Sequence, residues 1–476
     1  MHRTLSRREL CLPTSVAKPA PPPPVTAEVH LLSRATFGPT PQALAEVQAL
    51  GIAAWVDRQL DPYSIDDRAF EALLPTLVAP TANNGADIRL LARAIYSKRQ
   101  LAWRLTHFLN NHFSTNRVET TGISESNEDD TFFKHCFTTF GTVLRDSAQS
   151  PAMIDYLDSQ SNIAIAPNEN YARELLELHT LGVGNYTEAD VAAIARVFTG
   201  WARVNVLSGT TAVGSSFLFR ANVHDTGPKT TSLGWSTPGF SGSAGVNEGL
   251  QFLQFLATHG ATATRFVTKL CQYFVGDQPS AGLLSRAVRA FSSSGGDLQQ
   301  TVRAILLDHE FQNGSTAKTK VHDGFEFVVN AVRRFGLAAI NTTAMNTRVG
   351  LLRCPPHLCP VPIGHPELGG AWQGSGNVLS RWDFADDLVN DRIGGAVMPW
   401  TTLFGATPPP TGALWAVALC DRFVDGAVPA TTILALTVFM DARLATLPAN
   451  PTWAQVRPHA RELASVVTRL PESQLH

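Results

Sequence analysis

Asn168-Glu169-Asn170-Tyr171-Ala172-Arg173-Glu174-Leu175-Leu176-Glu177-Leu178-His179-Thr180-Leu181-Gly182 is the stretch that decides the fold class. Asn168 is a good helix N-cap and Gly182 a good residue to follow a helix end, so the pattern predicts a helix over Glu169 to Leu181. At about 100° per residue, Tyr171, Leu175 and Leu178 centre an apolar arc. Glu174 lies at the border of that arc, Glu177 one turn further along beside Asn170, and His179 falls on the apolar side. A carboxylate and an imidazole so placed cost desolvation unless a metal, an arginine or buried backbone partners them. The structural alternative is a plain Glu174–Arg ion pair and a satisfied core histidine.

Helical spacing extends in both directions from this segment. Thr187-Glu188-Ala189-Asp190 has the pattern of a capping box and opens a helix with Val191, Ile194, Ala195 and Phe198 on one face. Upstream, His30 to Gly38 reads as a short helix stopped by glycine, and Ile88 to Phe113 as one long helical pattern. Downstream, the spacing recurs at 250–256, 266–274, 283–291, 298–307, 325–335, 378–389, 431–444 and 453–470. Two segments lack it. Residues 202–245 are rich in Gly, Ser and Thr, with an alternation near Phe217-Leu218-Phe219-Arg220 that suits a short strand pair. Residues 354–376 are rich in Pro, Gly, Cys and His. The expected fold is mainly α: a large helical domain with long irregular insertions and one short β-hairpin. The expected divisions are a disordered Pro-rich tail at 1–25, a helical domain at 26–395, and a helical extension at 396–476 packed on the same domain.

Composition narrows the function classes. The chain has 476 residues, 44% of them apolar and 16% charged, so it buries a real core. A net charge of −2 favours neither nucleic acid nor an anionic membrane as a partner. No uninterrupted apolar stretch is long enough to span a membrane. Six scattered cysteines do not make a disulfide scaffold. Leu5-Ser6-Arg7-Arg8-Glu9-Leu10-Cys11-Leu12 resembles the core of a twin-arginine export signal, but Pro13, Lys18 and Pro21 to Pro24 stand where its apolar run belongs. The localisation is left open between cytoplasmic and exported.

Three further groups carry candidate chemistry. His107-Phe108-Leu109-Asn110-Asn111-His112-Phe113 puts two imidazoles and two amides at a helix end, with His112 a candidate metal ligand. His224-Asp225-Thr226-Gly227-Pro228-Lys229 puts an acid/base pair and a cation on one loop, and functional residues concentrate on such loops. His224 is also a candidate ligand. Cys354-Pro355-Pro356-His357-Leu358-Cys359, followed by His365, offers zinc- or copper-type ligands at an unusual spacing; a disulfide and two free thiols are the alternatives. No phosphate-binding Gly-rich loop, H-E-x-x-H or G-x-S-x-G is present.

Several of these blocks, in order, resemble the bacterial family called domain of unknown function 1800 (DUF1800). They are His30 to Thr40, Asn168 to Gly182 running on to Thr199-Gly200-Trp201, and His224 to Thr230. Later blocks are Ser294 to Asp297 with Leu307 to Phe311, and Phe325 to Val329. The resemblance runs from about residue 28 to about 390 and implies a helical protein, often exported and often encoded beside a second uncharacterised exported family, which would supply a partner. Polar residues of the family's motifs fall on His112, Glu174, Glu177, His224 and Asp225. Asn110 stands where the family usually has a histidine, and Gly364-His365 where it usually has Gly-Trp.

The expectation is an enzyme with a His/Glu pocket that binds zinc, copper, iron or manganese. Glu174, Glu177, His224, Asp225 and Lys229 would be its catalytic residues and His112, His179 and His224 its ligands, with Cys354, His357, Cys359 and His365 a second candidate ligand set. A non-catalytic binding or assembly protein is the alternative, and metal-free hydrolysis with Glu174 or Glu177 as general acid a third.

Overall fold

The structure is a computed structural model, and the residues it describes are 23–78, 85–208, 211–337 and 340–476. The twin-arginine-like stretch, Cys11 and most of the Pro-rich tail lie outside them. The fold is mainly α, with 23 α-helices and two small two-stranded sheets among the described residues. None of these helices is long and apolar enough to cross a membrane.

The chain divides into two compact units. The larger comprises Thr26–Pro399 together with Thr468–His476, and the smaller contains Trp400–Val467. The smaller unit pairs helices Gly412–Val424 and Ala430–Leu444 with Trp453–Thr468. Its core is aromatic: Phe404 and Trp415 lie 4.6 Å apart by ring centroid, and Trp415 meets Trp453 edge-on at 5.8 Å.

In the larger unit, polar side chains fix where helices begin and end. Thr26 caps Ala27–Ala35, and Thr187 with Asp190 completes the capping box of Glu188–Val197. The long pattern at 88–113 is two helices, Gly85–Tyr96 and Gln100–His112. Asp67 explains the break, because its carboxylate accepts from Ser97 Oγ at 2.5 Å and from the Lys98 amide at 3.0 Å. Both helices are buried almost throughout, since neighbours cover them on all sides. The core between them and helices Gly122–His135, Phe140–Ala148 and Gly260–Phe274 is built from Leu105, Phe108, Phe113, Phe132, Phe140 and Phe266.

The irregular segment after Trp201 begins as a hairpin. Trp201–Ser208 pairs antiparallel with Thr211–Phe219, with Trp201 opposite Phe219. It is longer than the strand pair read near Phe217. Gly200, at φ +85°, turns the chain into it; a Cβ there would lie 2.6 Å from the Arg220 carbonyl oxygen. At the other end of the unit, Thr468–His476 returns along the start of helix Gly324–Phe335. A Val321–Leu475 bridge, the His322 amide on the Gln474 carbonyl (3.0 Å) and the His476 amide on the Lys320 carbonyl (2.9 Å) fasten it there.

Candidate functional site

The deciding segment forms helix Asn170–Glu174 and then a wide π turn over Leu175–His179. The Asn170 amide donates to Asn168 Oδ1 at 2.9 Å, and the Gly182 amide reaches back to the Leu176 carbonyl at 2.9 Å. His179 ends the π turn, where carbonyls have no ladder partner, and His112 Nε2 donates to its carbonyl at 3.0 Å. The His112 and His179 rings lie 6.2 Å apart, walled by Phe108, Phe113, Phe140 and Phe266. Burial, reinforced by Lys269, pushes His179 down to about 3 and His112 well below its ordinary value, so both are neutral. Glu174 is half-buried, and burial together with Glu177 raises its carboxyl. Glu177 accepts from Tyr186 Oη at 2.7 Å.

His224, Asp225 and Lys229 form a separate group. His224 Nδ1 donates to the Thr199 carbonyl at 2.8 Å, and its Nε2 faces Glu248 Oε2 at 3.7 Å. Lys229 Nζ, fully buried, lies 2.6 Å from the same oxygen and also bonds the Asp225 carbonyl. Asp225 is held by a two-pronged contact with Arg196 at 2.7 and 3.1 Å. His224 Nε2 has no hydrogen-bond partner among the described residues.

The Cys354–Cys359 loop spreads its residues over different neighbours. Cys354 and Cys359 are free thiols, both buried and both with raised thiol pKa through that burial. His357 turns both ring nitrogens to carboxylates, Nδ1 to Asp87 at 3.0 Å and Nε2 to Asp129 at 3.2 Å. Burial works against its charge, but Asp129 and Asp87 overcome that and hold the imidazolium well above its ordinary range. Glu125 and Glu128 stand beside it, their carboxyls raised by burial and by neighbouring carboxylates. This is a buried ion nest with no ring nitrogen left for a thiolate-bound metal. His365 Nε2 donates to the Pro355 carbonyl at 3.1 Å.

Two groups of three ligand-type side chains have their ligand atoms within 4.8 Å of one another among the described residues, and none of the residues expected from sequence belongs to either. In the first, Asp308 and Glu310 already hold Arg286 at 2.6 and 2.7 Å, and His309 is exposed. The second is His322, Glu326 and His476, all buried. His322 and Glu326 stand four apart at the start of helix Gly324–Phe335, whose cap is Asp323. His476 arrives on the returning segment and stacks on His322 with centroids 4.1 Å apart. His476 Nδ1 donates to the Ser33 carbonyl at 3.1 Å, so its Nε2 lone pair faces Glu326 Oε2 at 3.5 Å. His322 Nδ1 lies 3.7 Å from the same oxygen. Burial pushes His322 down to about 4 and His476 well below its ordinary value, so both rings are neutral. Arg104 occupies Glu326 Oε1, and against the pull of burial it keeps that carboxylate ionised. His322 Nδ1 and Nε2 and His476 Nε2 have no hydrogen-bond partner. A small cavity of about 10 Å³ touches Glu326, Asp323, Lys320 and Tyr273, room for roughly one water.

Sequence reasoning missed this group because its signal was slight. His322 and Glu326 straddle a helix cap, and His476 comes from far along the chain.

Fold and site together define a mainly helical protein with a buried His/Glu group of metal-ligand type. Residues 30–475 match the model of the family "Protein of unknown function (DUF1800)", nearly the whole chain, and the protein belongs to that family. Comparison with curated proteins and with solved structures finds no match.

Proposed function

We propose that this protein binds one first-row transition metal ion through His322, Glu326 and His476. The observation that carries this is electrostatic. The Nε2 lone pair of His476 and the Nδ1 of His322, both on neutral rings, face one carboxylate oxygen at 3.5 and 3.7 Å. A lone pair facing a carboxylate in a dry interior calls for a cation between them. In the His224 group, Lys229 meets the carboxylate oxygen that the histidine faces. Here Arg104 serves only the other carboxylate oxygen.

The spacing fits. Ligand atoms about 2.0–2.1 Å from a tetrahedral metal lie roughly 3.4 Å from each other. Two histidines and a glutamate suit zinc, and they also suit iron(II). The Ser33 carbonyl orients His476 and Arg104 orients Glu326, the outer support such ligands need. Bound there, the metal would supply Lewis acidity and an activated water. The chain's own part is to hold the ligands, exclude bulk water and leave room for one water beside Glu326.

Glu174, Glu177, His224, Asp225 and Lys229 as catalytic residues, and His112 or His179 as ligands, stand as a competing proposal for the same class of protein. A non-catalytic reading, in which the metal only fastens the returning segment, draws support from the burial of all three ligands. The test is elemental analysis of protein purified without chelator. One metal per chain, lost in both His322→Ala and His476→Ala and retained in His112→Ala, is expected. Metal-free wild type after reconstitution with zinc or with iron(II) under anaerobic conditions would overturn the proposal.

A further inference from the structure

Helix Gly260–Phe274 buries Phe266, Val267, Leu270 and Phe274 and turns its opposite stripe outward. That stripe carries Thr264, Arg265, Thr268, Lys269 and Gln272, spaced as one helix face, and it forms one wall of a groove of about 620 Å³. The turn Leu181 to Asn185, which follows the π turn, forms the other. We propose that this groove binds a small oxyanion, a phosphate or carboxylate group, on Arg265, Lys269 and Gln272.

Other sheltered cations of this protein are met at short range by a carboxylate or by carbonyl oxygens. Lys229 sits 2.6 Å from Glu248, Arg333 donates to the Ile95 carbonyl at 2.7 Å, and Lys320 to the Glu367 carbonyl at 2.8 Å. Arg265 and Lys269 are partly buried in the groove without such a contact. The carboxylates that act on them, Glu177 on Arg265 and Glu367 on Lys269, do so only through space. Both are engaged elsewhere: Glu177 accepts from Tyr186 Oη at 2.7 Å and Glu367 from Asn111 Nδ2 at 2.7 Å. Among the described residues Arg265 makes one hydrogen bond, and it is long, Nε to the Leu178 carbonyl at 3.4 Å. Burial lowers the proton affinity of both heads, the mark of cations stripped of water and not repaid by an anion.

The donors left facing the groove are the ones an oxyanion needs. Arg265 offers a planar fork and Lys269 a point charge one turn on, with the Gln272 amide beyond it. The Thr264 and Thr268 hydroxyls are spent on helix carbonyls at 3.1 and 2.6 Å and contribute little. Gly182 makes the fit possible. It sits at φ +84°, and a Cβ there would lie 3.1 Å from Arg265 Nη1 and 3.2 Å from its Cδ. Lys269 acts through space on the neutral pair His112 and His179, which bring no competing charge. This site shares no residue with the proposed metal centre.

The experiment is calorimetric titration of the full chain at low ionic strength, with inorganic phosphate in one arm and citrate in the other. Saturable binding of one ligand per chain is expected in at least one arm, and the arm that responds identifies the group. Arg265→Gln and Lys269→Gln should each weaken it by about tenfold, while Arg289→Gln, an exposed control, leaves it within about twofold. No saturation in either arm by about 20 mM, or affinity unchanged in both groove variants, overturns the proposal. Wild-type protein gives a second reading free of folding effects: acetic anhydride labelling of Lys269, followed by mass spectrometry. Protection of Lys269 relative to Lys134 by the responding ligand is expected, and equal labelling with and without it would count against the site.

Discussion

Glu248 and Glu326 are both buried carboxylates that face a histidine, yet they are neutralised in different ways. Lys229 lies on the oxygen of Glu248 that His224 approaches. Arg104 lies on the oxygen of Glu326 that the histidines do not approach. Lys229→Met should therefore strand Glu248 as an uncompensated charge and lower stability by roughly 3–5 kcal/mol in urea unfolding. A loss under about 1 kcal/mol would mean that the pair contributes little. The ion nest at His357 makes a pH prediction. Glu125, Glu128 and His357 all hold protons more tightly folded than unfolded. The glutamates' contribution is present below their ordinary value of 4.5 and is lost as pH rises through their raised folded values. That of His357 is present below 6.5 and is lost above it. The melting temperature of wild type should thus fall between pH 5.5 and pH 8.5 by more than that of Glu128→Gln. Parallel curves for the two would refute the assignment.

Among the elements, the π turn at Leu175–His179 shows best what the sequence could reveal. The apolar arc of Tyr171, Leu175 and Leu178 was legible because it follows from local spacing, and Asn168 does take the Asn170 amide; but the helix starts at Asn170 and the π turn ends at His179, short of the Glu169 to Leu181 span that the pattern predicts. The widening of the turn was not legible, because the spacing reads there as ordinary helix, and the bond from His112 to the His179 carbonyl at its end comes from a remote helix. The break between Gly85–Tyr96 and Gln100–His112 was hidden for the same reason: Asp67, which makes it, is remote from the helical pattern. The irregular loop at 354–376 was correctly read as irregular, but the contacts that split Cys354, His357 and Cys359 among separate neighbours are all long-range. Two element-scale predictions follow from the caps. Thr187→Ala, which removes the capping box, should cost about 1 kcal/mol. Gly182→Ala, at a positive φ and against Arg265, should cost more than about 1 kcal/mol. Chemical denaturation measures both, and a neutral Gly182→Ala would show that the turn can relax.

On the scale of the whole molecule, the segment Thr468–His476 belongs to the larger unit although helix residues up to Val467 belong to the smaller. It brings His476 to His322 and Glu326, and the candidate metal centre is complete only with it. The sequence reading proposes imidazole and carboxylate around a metal at His112, Glu174 and His224, where each motif is locally conspicuous, and does not single out His322, Glu326 or His476. Ligands drawn from a helix cap and a returning segment leave no local pattern to read. A ligand that binds only the folded chain stabilises it by mass action, about 2.7 kcal/mol at a hundredfold excess over Kd. Zinc should accordingly raise the melting temperature of wild type and leave His476→Ala unchanged; an equal rise in both would place the metal elsewhere.

X-ray absorption of the zinc-loaded chain tests the central claim most directly. The account predicts a first shell of nitrogen and oxygen at about 2.0–2.1 Å with two imidazoles and no sulfur. Sulfur at about 2.3 Å would contradict it and move the metal to Cys354 or Cys359.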